Sequence, residues 1–145
     1  MAITFVEDDY EEIRRAIDVT LTANTLPSTV ISSDLYEGQA IEVVESELAN
    51  LTEPQLAEYA DRIKRAAKLL TAAYVVPAVP AISNETVEGD TLAFQNRDLK
   101  ALASELQSRA YDAIQRILTA AAAAPQTIDT AFAANVFTTS KANAK

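Results

Sequence analysis

Carboxylates are the side chains in these 145 residues whose spacing could do chemistry. Glu11-Glu12, Glu42-x-x-Glu45 and Glu58-x-x-Asp61 each place two acids within one helical turn. Magnesium prefers such oxygens, and held by them it can polarise a phosphoryl group for attack by water. The same spacing is also what an ordinary solvated helix face carries. Other chemistry is closed off by residue type. The chain has no histidine and no cysteine. That removes Ser–His and Cys–His nucleophiles, most zinc sites, Glu-x-x-His di-iron bundles and disulfides. Neither a Gly-x-x-x-x-Gly-Lys loop nor a Gly-x-Gly-x-x-Gly turn is present. No catalytic residue, cofactor or metal is expected, so the chain reads as non-enzymatic.

Charge narrows the partners. The formal net charge is −9, which opposes tight binding along a nucleic-acid backbone, because such binding needs clustered Lys and Arg. The charge is uneven. Residues 1–58 carry about eleven net negative charges, with Arg14 and Arg15 the only bases. Residues 59–76 are net basic through Arg62, Lys64, Arg65 and Lys68. Two readings follow: two solvated faces of opposite sign, or head-to-tail pairing between copies. The absence of cysteine fits a reducing compartment. The start lacks a basic segment followed by an apolar one, and no apolar run approaches membrane-spanning length, so a soluble protein without a signal peptide is expected.

Helices must position these residues. Only two glycines stand among abundant Ala, Leu and Glu, which favours an all-α fold. The spacing predicts a first helix over about 9–21, with Asp8 as N-cap and a stripe of Tyr10, Ile13, Ile17 and Leu21. Leu26-Pro27 reads as an extended link. A second helix is predicted to start between Ser28 and Asp34 and to end near Leu48, with Gly38 marking a close contact or a break into two. Thr52 and Gln55 form a capping-box pattern for a third helix, whose stripe of Leu56, Tyr59, Ala60, Ile63, Ala67, Leu70 and Tyr74 should end at Pro77. Glu58, Arg62 and Arg65 are spaced there for helical ion pairs. Residues 77–95 read as an extended loop or a short β-hairpin about Glu88-Gly89-Asp90.

The longest stripe, within 96–124, runs through Leu99, Leu102, Ala103, Leu106, Ala110, Ala113, Ile114, Ile117, Leu118 and Ala121, with Asp98 at its start and Pro125 at its stop. The expected architecture is a small bundle of about four helices over residues 1–124 with a long C-terminal helix. Residues 125–145 follow as an extended or disordered arm. Ile128, Phe132, Val136 and Phe137 could order on a partner.

The order of these features resembles the head–tail connector (adaptor) proteins of tailed bacteriophages. The matching pieces are Glu7 to Ile17, Leu26-Pro27, Ile31 to Leu48, Leu56 to Tyr74 with Pro77, and Ile82-Ser-Asn-Glu-Thr-Val-Glu-Gly-Asp with Phe94 after it. Leu106 and Ala110 match the Leu-x-x-x-Ala core of the family's last helix, so the likeness spans about residues 5–120. The resemblance implies a virion protein of the neck, assembled in the host cytoplasm. It implies a ring, usually of twelve copies, that docks on the portal and receives tail or neck proteins. DNA would pass through without specific binding, and no membrane is involved. Under it, Arg62, Arg65, Val87, Phe94, Ile128, Phe132, Val136 and Phe137 are candidates for partner contacts, and Glu37, Glu42 and Glu45 for an acidic channel wall. Two other classes fit parts of the pattern. One is a helical regulatory or antitoxin-like module that binds one protein. The other resembles the all-helical, magnesium-dependent nucleotide pyrophosphohydrolases of the MazG type, through the three carboxylate pairs.

Overall fold

The computed structural model describes residues 2–83 and 98–123. Most of those residues are helical, with no strand among them. In chain order they form α1 (Glu7–Ile17), α2 (Ser28–Ile31), a π-helical turn (Asp34–Gly38), α3 (Gln39–Glu47), α4 (Glu53–Glu58), α5 (Ala60–Val75), a 3-10 turn (Val76–Ala78), α6 (Val79–Ser83) and α7 (Leu99–Ala123). The all-α expectation holds. The hairpin about Glu88-Gly89-Asp90 and the arm over 125–145 lie outside the described residues.

The core is built around α5. Ile63, Ala66, Ala67, Leu70, Ala72, Ala73 and Val75 are buried along it. Among the described residues its most extensive interface is with α7, whose Leu106, Ala110, Ile114, Ile117 and Ala121 are buried. Alanines on both helices let the backbones approach closely, and interdigitating Leu and Ile fill the remaining space. On other sides α5 receives α1, the π turn and α3, through residues that include Ile13, Ile17, Ala40 and Val44.

Helix starts follow local chemistry. Before α4, the Gln55 amide donates to Thr52 Oγ1 at 3.3 Å and the Thr52 amide to Gln55 Oε1 at 2.9 Å, the reciprocal pair expected there. Before α7, the Ala101 amide donates to Asp98 Oδ1 at 3.0 Å, as expected. The first helix differs. It begins at Glu7 with Val6, not Asp8, in the cap position, because Asp9 turns its carboxylate back to the Val6 amide at 2.8 Å. It ends at Ile17, so Leu21 reaches the core from a loop.

The second helix keeps its expected bounds: after the separate short α2, the π turn starts at Asp34 and leads directly into α3, which ends at Glu47. Gly38 stands at the junction of π turn and α3 with ordinary helical angles, and a Cβ there would meet Asp34 Oδ1 at 3.1 Å, the close contact that is one of its two expected roles. Two further expectations about the chain path are corrected. The third helix is interrupted at Tyr59, which caps both α4 and α5. Pro77 does not begin an extended segment. It lies in the first turn of a 3-10 turn, and Pro80 in the first turn of α6, where an absent amide donor costs nothing. The helical run therefore extends over Ala60–Ile82, which, against the expectation that no run approaches membrane-spanning length, is long and apolar enough to cross a membrane. Half of its most apolar window is buried inside the bundle, as befits a core helix.

Candidate functional site

Two charged regions flank α5. The first is the contact with α1. Asp9, almost fully buried, receives Lys64 Nζ at 2.8 Å and Lys68 Nζ at 3.2 Å, and Lys68 also pairs with Glu12. Burial pushes the Asp9 carboxyl up. The bonds from Lys64, the Val6 amide and Lys68 outweigh that and hold it below its ordinary value. Burial likewise works against the Lys68 charge, and Glu12 and Asp9 more than reverse it, so its pKa is raised. Tyr10 donates to Glu37 Oε1 at 2.7 Å; burial and that carboxylate push the phenol up to about 12.

On the same helix, Arg14 is fully buried. Its Nε donates to the Leu26 carbonyl at 2.7 Å, Nη2 to Ser28 Oγ at 2.7 Å and Nη1 to Glu11 Oε2 at 3.1 Å. The Ser28 hydroxyl in turn donates to Glu7 Oε2 at 2.8 Å. One guanidinium thus ties α1 to the Leu26–Ser28 link and satisfies a buried carbonyl.

The second region lies between α5 and α7. Arg62, Arg65 and Leu69 from one helix, and Arg109, Asp112, Ala113 and Arg116 from the other, line an open groove of about 280 Å³. Asp112 is taken up by Arg116 Nε at 2.9 Å, and the Arg62 guanidinium lies 5.6 Å from the centre of the Tyr59 ring. Arg62, Arg65 and Arg109 form no ion pair with a described residue, whereas Arg14, Arg15, Lys64, Lys68 and Arg116 all do. The expected Glu58–Arg62 pair does not form, because the break at Tyr59 separates them. Leu69 and Ala113 give the groove a partly apolar lining. A planar carboxylate or a phosphate is the group that such guanidinium forks bind.

The sequence candidates scatter around these regions. Arg62 and Arg65 fall together in the groove, and Arg109 and Arg116 join them unforeseen. Their spacing with Asp112 and Ala113 was visible as one face of a helix, but not that this face meets Arg62. Glu42 is exposed and shares a polar cleft with Asp34, Gly38 and Gln39. Glu45 is half-buried near Leu48, Leu51 and Leu56, and Glu37 is engaged by Tyr10. Val87, Phe94, Ile128, Phe132, Val136 and Phe137 lie outside the described residues. The carboxylate pairs do not converge. Glu11 holds Arg14 and Arg15, Glu12 holds Lys68, and Glu58 and Asp61 stand on opposite sides of the Tyr59 break. Among the described residues no three acids gather where they could hold a metal ion. Compared with protein-family models, curated proteins and solved structures, the chain matches none.

Proposed function

We propose that the chain is a structural virion protein, a head–tail connector subunit that closes into a ring on the portal, joins head to tail or neck and lines the DNA exit. It works by assembly, without catalysis and without a membrane. Twelve copies would match the portal-bound rings of the family it resembles. The order of its helices supports this reading, and one observation carries it: the separation of charge on a single subunit. Unpaired arginines collect in the α5–α7 groove, while exposed acids such as Asp34 and Glu42 stand on the π turn and α3. Opposite patches at different places on one subunit suit a heterologous contact, the kind that closes a ring. The remaining acidic surface would repel the phosphates of passing DNA, which then slides without sticking.

The test is to mix the purified protein with purified portal complexes and image them by negative stain. A ring of added density at one pole of the portal is expected. A protein that stays monomeric and leaves the portal bare overturns the proposal and favours the single-partner regulatory module.

A further inference from the structure

The groove arginines pose a question of supply. The chain has nine more acids than bases, yet three of its guanidiniums share a groove in which Asp112 is bound to Arg116 and form no ion pair of their own with a described residue. Like charges gathered in one groove repel one another, and apart from Arg62 over Tyr59 no contact among the described residues offsets it. An external anion with some apolar surface would satisfy both the forks and the Leu69–Ala113 lining.

The same chain carries a surface of that description. Leu35, in the π turn, is 71% exposed, among the few large apolar side chains left in solvent. Asp34 beside it and Glu42 about two turns on make no ion pair with a described residue. The other exposed apolar residues lack this setting. Next to Val6, Asp9 is consumed by Lys64 and Lys68, and Glu7 by Ser28 and Arg14; next to Val19, Asp18 accepts from Thr20. The π turn does not line its own subunit's groove.

We propose that the arginine groove between α5 and α7 is the socket for the Asp34–Gly38 turn of a second copy of this chain. Leu35 enters against Leu69 and Ala113, and the Asp34 and Glu42 carboxylates meet Arg62, Arg65 and Arg109. Nucleic acid is the weaker occupant, because a phosphate backbone would leave the apolar lining unused and would approach a chain of high negative charge. The π turn gives the knob its form: the wider turn, ending at a glycine that Asp34 approaches closely, holds Leu35 off the bundle. This socket rests on the self-association that the connector reading requires, but not on the portal.

Sedimentation velocity on the full chain, with R65E/R109E, D34K/E42K and L35S variants, tests it, circular dichroism confirming that each is folded. Each charge reversal should weaken self-association by about 100-fold, and Leu35→Ser by about tenfold. Mixing R65E/R109E with D34K/E42K should restore assembly, since each then offers the complement the other lacks. If the wild type forms rings that the charge reversals leave intact, the socket is overturned while the connector reading stands. If the wild type is monomeric and also ignores the portal, both are overturned. Binding of a short DNA duplex that Arg65→Glu with Arg109→Glu abolishes, without self-association, would make the groove a phosphate site and overturn the socket.

Discussion

On the side of α5 that meets α1, Lys64 and Lys68 are half-buried and pair with the buried Asp9, and Lys68 also with Glu12. On the side that borders α7, Arg62, Arg65 and Arg109 are exposed and hold no carboxylate. The first set answers a buried carboxylate, which without a partner would cost several kcal/mol. The second set had no such need, since water solvates it. Charge on α5 is thus divided between cations tied into the fold and cations left to solvent, and the socket proposal gives the second group its duty.

The comparison can be broken first at Arg14, the most deeply committed cation. Arg14→Ala should cost about 3–5 kcal/mol in urea unfolding, since it opens a cavity and strands the Leu26 carbonyl. Arg14→Met should recover part of that loss by refilling the space without restoring the donor. If both variants unfold at the wild-type midpoint, the α1 region is no more committed to folding than the groove.

The Asp9 pairing comes next. Asp9→Asn should cost about 1–2 kcal/mol near neutral pH. Its pH dependence sharpens the contrast. The Asp9 pKa is lowered on folding, so its contribution is present above the ordinary value of 3.8 and is lost as pH falls through the folded value. The Lys68 and Tyr10 pKa values are raised, so theirs are present below 10.5 and 10.0 and are lost as pH rises, for Tyr10 toward about 12. Urea midpoints across pH should therefore form a plateau that falls at both ends, and Asp9→Asn should flatten the acid limb and, by relaxing Lys68, lessen the alkaline one. An acid limb unchanged in Asp9→Asn would remove the pairing as its cause.

How much of this was legible depended on whether the information was local. The Thr52–Gln55 box, the Asp98 cap and the long stripe of α7 need only neighbours in sequence, and each appears as read. Pro77 misled because a missing amide donor stops one helix and yet suits the first turn of the next. Arg14 is spaced with Ile17 and could have been placed inward, but nothing in the sequence says that a carbonyl twelve residues away waits for it. The groove was half legible: Arg62 and Arg65 carried a basic signal, whereas Arg109 and Arg116 reach them only through the packing of α5 on α7.

The smallest expected effect lies in that groove, and it discriminates most sharply between the two duties of charge. Arg65→Ala with Arg109→Ala should leave the unfolding free energy within about 0.5 kcal/mol of wild type, because neither side chain forms an ion pair with a described residue and both are exposed. A slight gain is the expected sign at low salt, where removal of like-charge repulsion is least screened, and it should vanish as salt is added. Measured on dilute monomer, that near-null result separates the groove from the α1 contact by several-fold in free energy. A loss comparable to that of Asp9→Asn would mean that the groove arginines hold the bundle together, and folding would then account for all of the charge on α5.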